Sequence, residues 1–152
     1  MLEETVAPPQ DFSLRYEWKE ASLPPPHHYE LTVVVGPGRR GEIVLLPDYP
    51  SATTPVWTET FEVPEEELAA LFEKTSPLRA PADRPSARPP APSVGGQLES
   101  LTVTSGGERF ELSGAATAEV SDVGAAVRSL VPEALWRQLM ERRELYKAQR
   151  SP

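Results

Sequence analysis

The stretch LESLTVTSGGERFELSG, residues 98–114, constrains its own structure more tightly than any other in the chain. If Gly106 and Gly107 form a two-residue turn, Leu101 falls opposite Leu112 and Val103 opposite Phe110. The polar pairs Thr102/Glu111 and Thr104/Arg109 then share the other face. Turn chemistry and hydrophobic alternation give the same register, so this segment predicts an antiparallel hairpin with one face for a core and one for water.

C-terminal to this hairpin, Val120, Val123, Val127, Leu130 and Val131 recur at helical spacing up to Pro132. A second helical pattern runs through Leu135, Trp136, Leu139, Met140 and Tyr146. Pro132 suits the start of that last helix, where a missing amide costs nothing, and Glu133/Arg137 form a supporting i, i+4 pair. N-terminal to the hairpin, residues 76–94 hold six prolines and three arginines with almost nothing apolar. Such a composition cannot offset the entropy of ordering, and the segment reads as a flexible linker.

Further toward the N-terminus the alternation returns. Phe12, Leu14, Tyr16 and Trp18 interleave with Ser13, Arg15, Glu17 and Lys19, the period of a strand with one buried face. Tyr29, Leu31, Val33 and Val35 repeat it, GPGRRG reverses the chain into EIVLL, and VWTETFEV places Trp57, Phe61 and Val63 on one side. Pro64 and Glu65 to Glu67 then mark a helix start, with Leu68, Leu71 and Phe72 as its packing stripe, ending near Thr75. The expected architecture is therefore α+β: a four-stranded antiparallel meander and a later β-hairpin in one sheet, with about three helices packed on one face. The halves are expected to share the sheet because a lone hairpin with two helices is marginal. Residues 1–152 read as a single domain, with 1–10 as a disordered tail.

Composition narrows the function classes. The chain is 39% hydrophobic and 25% charged, as folded domains are, with 18 prolines and no cysteine. Disulfides, thiolate metal sites and thiol nucleophiles are excluded, which suits a reducing cytoplasm. The net charge of −8 is concentrated in residues 1–75, where 14 acids face 5 bases. Such a surface repels phosphate, disfavouring nucleic acid and anionic lipid as partners. The opening MLEETVAPPQDF lacks the basic start and apolar run of a signal peptide, and no apolar run is long enough to span a bilayer.

Gly36, Gly38 and Gly41 spell G-x-G-x-x-G after a strand, but EIVLL reads as another strand where a dinucleotide site needs a helix N-terminus. A hairpin turn is the better reading. His27 and His28 are the only histidines, and as extended neighbours they point to opposite faces. His28 and Glu30 can share a face, yet two ligands fall short of a zinc site, so neither a metal nor a cofactor is expected.

The meander brings alternate connections to one end of the sheet, so SLPPPHH and PDYPSATTP should be neighbours. That end would gather Pro25, His27, His28, Asp48, Tyr49, Thr53, Thr54 and Trp57, a stiff proline segment beside rings and hydroxyls. Stiff backbone loses little entropy on binding and rings offer contact area. The leading expectation is thus a non-catalytic module that binds a protein or peptide through loops 22–28 and 47–56. An alternative is a small hydrolase-type enzyme in which His27 or His28 acts as general base oriented by Asp48. The order of strands, helix, hairpin and helix is also similar to that of small bacterial inhibitors of thermolysin-type proteases. That likeness is one of arrangement alone; it implies presentation of loop 23–28 to a protease and carries over no residue.

Overall fold

The computed structural model describes residues 8–19, 28–76, 98–115 and 118–150. Six strands lie in these residues: β1 (Ser13–Lys19), β2 (Glu30–Val35), β3 (Arg40–Leu46), β4 (Trp57–Glu62), β5 (Leu98–Ser105) and β6 (Glu108–Ala115). The helices are α1 (Glu65–Lys74), α2 (Ala118–Leu130) and α3 (Glu133–Arg150). The strands form one antiparallel sheet in the order β4-β3-β2-β1-β5-β6. The meander is present in chain order, and the hairpin extends it by pairing β5 with β1, Tyr16 opposite Leu101 and Trp18 opposite Glu99. Most of the expected linker and residues 1–7 of the expected tail lie outside the described residues, as do Pro25 and His27.

Alternation decides which face is covered. Leu14, Tyr16, Trp18, Leu31, Val33, Val35, Ile43, Leu45, Leu101 and Val103 are all buried, while their neighbours Arg15 and Lys19 are exposed. Against this face pack Leu68, Leu71 and Phe72 of α1, Val123 and Val127 of α2 and Leu139 of α3. Each fully buried aliphatic side chain contributes about 1.5–3 kcal/mol, so a one-residue slip of any strand would be prohibitive.

The hairpin turn is as the sequence implies. Gly106 and Gly107 have φ of 60° and 80°, the left-handed pair that suits the twist of a tight hairpin, and Val103 pairs with Phe110. Asp11 clamps this turn from across the sheet end, its two carboxylate oxygens each 2.8 Å from one of the Gly106 and Gly107 amides. Those amides, Gly107 first and then Gly106, hold the Asp11 carboxyl below its usual range. At the same end the turn after β2 is closed by the Gly36 amide on the Arg40 carbonyl (2.7 Å). The Val63 amide bonds the Arg39 carbonyl (2.8 Å) and the Arg39 side chain bonds the Val63 carbonyl (3.1 Å). Arg40 and Gly41, read from sequence as part of the turn, already belong to β3, where Gly41 pairs with Val35 and Phe61.

One polar cluster sits inside the core. The Tyr16 hydroxyl donates to Glu99 at 2.6 Å, both residues being buried, and the Arg128 guanidinium lies 5.0 Å from the Trp18 ring centre and 5.7 Å from that of Tyr16. Burial, and then the bond to Glu99, push the Tyr16 phenol well above its ordinary 10.0.

Candidate functional site

The opposite end of the sheet is built differently. Here the chain enters β2 through His28 and Tyr29, leaves β3 after Leu46, and returns to β4 at Trp57 through residues 47–56. The imidazole of His28 stacks on the phenol ring of Tyr49, with centres 3.7 Å apart and planes 6° from parallel. The two connections that chain order predicts to be neighbours are therefore in contact through the residues the structure describes.

His28 is buried at 3% exposure, and its Nε2 lies 2.9 Å from Oε2 of Glu30, two residues on and on the same side of the extended chain. An ionised carboxylate only accepts, so Nε2 carries the proton in the neutral ring and Nδ1 keeps the lone pair. Nδ1 is buried without a hydrogen-bond partner among the described residues. Lys19, at 3.9 Å from the other Glu30 oxygen, completes a short charged row.

The 47–56 loop is internally ordered. The Ser51 hydroxyl accepts the amides of Thr53 (3.2 Å) and Thr54 (3.1 Å), and the Thr54 hydroxyl donates to the Tyr49 carbonyl at 2.6 Å. Because that bond uses the single Thr54 hydroxyl proton, Ser51 is the donor in its own 2.9 Å contact with Thr54. Pro47, Pro50 and Pro55 fix further backbone angles. Its exposed large hydrophobic side chains are Tyr49, 40% exposed, and Val56, 58% exposed, beside the exposed Pro50, Ser51, Ala52 and Thr53.

The remaining expected site residues divide. Thr54 holds the Tyr49 carbonyl through its hydroxyl. Asp48 does not meet His28 in a hydrogen bond: its Oδ2 accepts from the Tyr146 hydroxyl of α3 at 3.0 Å and its Oδ1 from the Tyr49 amide at 2.8 Å. The carboxylate on His28 is Glu30 instead. Trp57 pairs with Leu45 and is half-buried against the core, lending support more than contact surface. Sequence reasoning missed Tyr146, 98 positions from Asp48, because a bond between so distant a pair leaves no local pattern. It also missed Ser51 and Val56; the S-x-x-T spacing of Ser51 and Thr54 is a turn signature that was available.

Among the described residues, the hydroxyls of Ser51 and Thr54 are committed to the turn and the polar group bonded to the buried His28 ring is Glu30. Among the described residues no group of three or more His, Asp or Glu side chains is placed to hold a metal ion. The G-x-G-x-x-G stretch joins β2 to β3 and is followed by a strand, so the helix a dinucleotide site requires is not there. No described helix is long and apolar enough to cross a membrane. The chain matches no known protein-family model, and no curated protein matches it either.

Proposed function

We propose that the protein is a non-catalytic binding module that takes a protein or peptide segment across the 47–56 loop and the adjoining 22–28 connection, in the cytoplasm. The observation that carries this reading is Tyr49: a large ring 40% exposed, backed by a buried imidazole, on a loop ordered by its own hydrogen bonds. A ring held in place before binding loses little entropy on contact, and immobilising a free side chain would cost about 0.5–1.5 kcal/mol. Val56 adds an apolar contact at the other end of the same loop. The lack of cysteine and the acidity of residues 1–75 support an intracellular partner that is neither nucleic acid nor anionic lipid.

The test is selection of displayed peptides against the intact protein, followed by affinity measurement on a Tyr49→Ser, Val56→Ser double variant. Selected peptides should lose at least about tenfold in affinity, equivalent to about 1.4 kcal/mol, while the variant still unfolds in a single cooperative transition. Failure to select any peptide, or equal affinity for parent and variant, removes the reading.

A further inference from the structure

The two edges of the sheet are unlike each other. β4 is the outermost strand on one side and β6 on the other. Edge strands are commonly blunted by basic residues, proline or a bulge, because their open main-chain groups invite pairing with another chain. β6 carries such a device in Arg109 and Glu111, both exposed and joined at 2.7 Å. β4, Trp57–Glu62, has no lysine, arginine or proline, and it pairs with β3 along its whole length without a bulge.

The register decides which main-chain groups of β4 stay open. In an antiparallel pair, residues alternate between exchanging both hydrogen bonds with the neighbour and turning both groups away from it. The Val63 amide bonds the Arg39 carbonyl, so that pair and every second pair before it, Phe61/Gly41, Glu59/Ile43 and Trp57/Leu45, face inward. Arg40, opposite Glu62, fits this phase, since its carbonyl is taken by the Gly36 amide on the other side of β3. The amides and carbonyls of Thr58, Thr60 and Glu62 therefore point away from β3. Among the described residues none of these groups has a hydrogen-bond partner, and all three residues are exposed. The side chains leave the approach clear. Phe61 lies over Gly41 of β3 so closely that a Cβ there would collide with its ring, and Glu59, the one charge on the helix-facing side of the strand, is paired with Arg142 at 3.7 Å.

We propose that β4 takes an extended, basic segment of another protein as a seventh, antiparallel strand, bonded through the outward amides and carbonyls of Thr58, Thr60 and Glu62. Donors and acceptors repeating at strand spacing are matched by another extended backbone and not by a helix, whose main-chain groups are already paired. Alternate side chains of the segment lie beside the half-buried Trp57 and Phe61, which selects apolar residues there, and those between them lie beside Thr58 and Thr60. Glu62 and the exposed Glu65, Glu66 and Glu67 just beyond the strand favour lysine or arginine at the segment's N-terminal end. A second copy of this chain is a poorer occupant, since pairing β4 with β4 would bring Glu59 and Glu62 of two chains, each of net charge −8, onto one short ladder. This site goes beyond the loop reading and does not depend on it.

The probe is a synthetic peptide of about nine residues, two lysines followed by alternating valine and threonine, long enough to span the edge. Binding to the intact protein is followed by amide NMR shifts, amide exchange and affinity. The amides of Thr58, Thr60 and Glu62 should shift and gain protection from exchange. N-methylation of every second peptide residue should weaken binding by at least about tenfold in one phase and leave it unchanged in the other, because only one set of peptide amides faces β4. Thr60→Pro should also weaken binding by at least about tenfold; proline is tolerated on an edge strand where the lost amide faces solvent, and the methylated peptides give the same answer on the parent protein. Glutamates in place of the lysines should weaken binding by about tenfold, whereas Tyr49→Ser should leave it unchanged, which separates this site from the loop. Absence of binding, equal effects of the two methylation phases, equal affinity of the glutamate peptide, protection centred on β6, or loss of binding in Tyr49→Ser would each overturn the proposal. So would self-association of the protein that Thr60→Pro abolishes, since the seventh strand would then come from a second copy of this chain.

Discussion

The two ends of the sheet solve the same connection problem with different materials. Where β2 turns into β3 and β5 into β6, the connections are short and glycine-containing, and their bonds run to main-chain amides and carbonyls, with the Asp11 carboxylate and the Arg39 guanidinium as the side-chain partners. The Gly36 amide meets the Arg40 carbonyl, Val63 and Arg39 join backbone to backbone, and Asp11 receives the Gly106 and Gly107 amides. At the other end the connections are long and side chains hold them: His28 on Tyr49, Tyr146 on Asp48, Arg143 over Tyr29, Trp18 against Tyr29 at 4.7 Å. Tight turns pair their polar atoms with one another and offer a partner little. A longer loop ordered by Ser and Thr hydroxyls keeps rings outward. The contrast is one of materials, mostly main chain at one end and side-chain rings and hydroxyls at the other, where the proposed binding surface lies.

If the turn end is held by backbone, the largest effect should come from crowding it. A Cβ at Gly36 would lie 2.4 Å from the Phe12 carbonyl oxygen, at a φ of +80° that side chains resist, and backbone cannot give way as a side-chain tip can. Gly36→Ala should cost about 3 kcal/mol or more in denaturant unfolding. Gly38→Ala, at a similar φ of +79° with nothing within 4 Å, should cost only about 1 kcal/mol. Equal losses would mean that the clash is relieved and that main-chain contact is not what makes this end rigid.

Side-chain bonds should scale with burial. Tyr16→Phe strips Glu99 of a donor in the core and should cost about 2 kcal/mol by the same measurement. The parent also carries a pH signature there. Because the folded phenol titrates above 10.0, the Tyr16 contribution is complete below that pH and is lost as pH rises beyond it. Tyr16→Phe should remove that alkaline decline. Tyr146→Phe, which frees a partly buried Asp48 at the loop end, should cost about 1 kcal/mol or less. A larger loss would make the loop end structural and blur the division drawn above.

The smallest effect belongs to Asp11, exposed and acting on two amides. Its carboxyl titrates below 3.8 in the fold, so its contribution is complete above that pH and disappears as pH falls through the folded value. Asp11→Asn should flatten stability against pH in that acid window alone, read by denaturant unfolding across a pH series. An unchanged slope would show that the hairpin turn holds itself.

Most of the architecture was legible because it rests on local periodicity. Alternation at Phe12 to Lys19 identified a half-buried strand, and the Gly-Gly turn fixed which residue of 98–105 faces which of 108–115. The candidate site was legible in its halves. Chain order brought the His28 and Asp48/Tyr49 connections together, but which ring met which, and that Asp48 would turn to Tyr146, depended on α3.

The amino-acid order alone determined the elements, their buried faces and the glycine turns, since each follows from side-chain spacing along a few residues of backbone. Tertiary packing decided that β5 lies beside β1, that Glu99 meets Tyr16, and that Tyr49 covers His28. Those contacts join positions 21 to 91 residues apart, and burial energy selects them only once the whole sheet has been assembled.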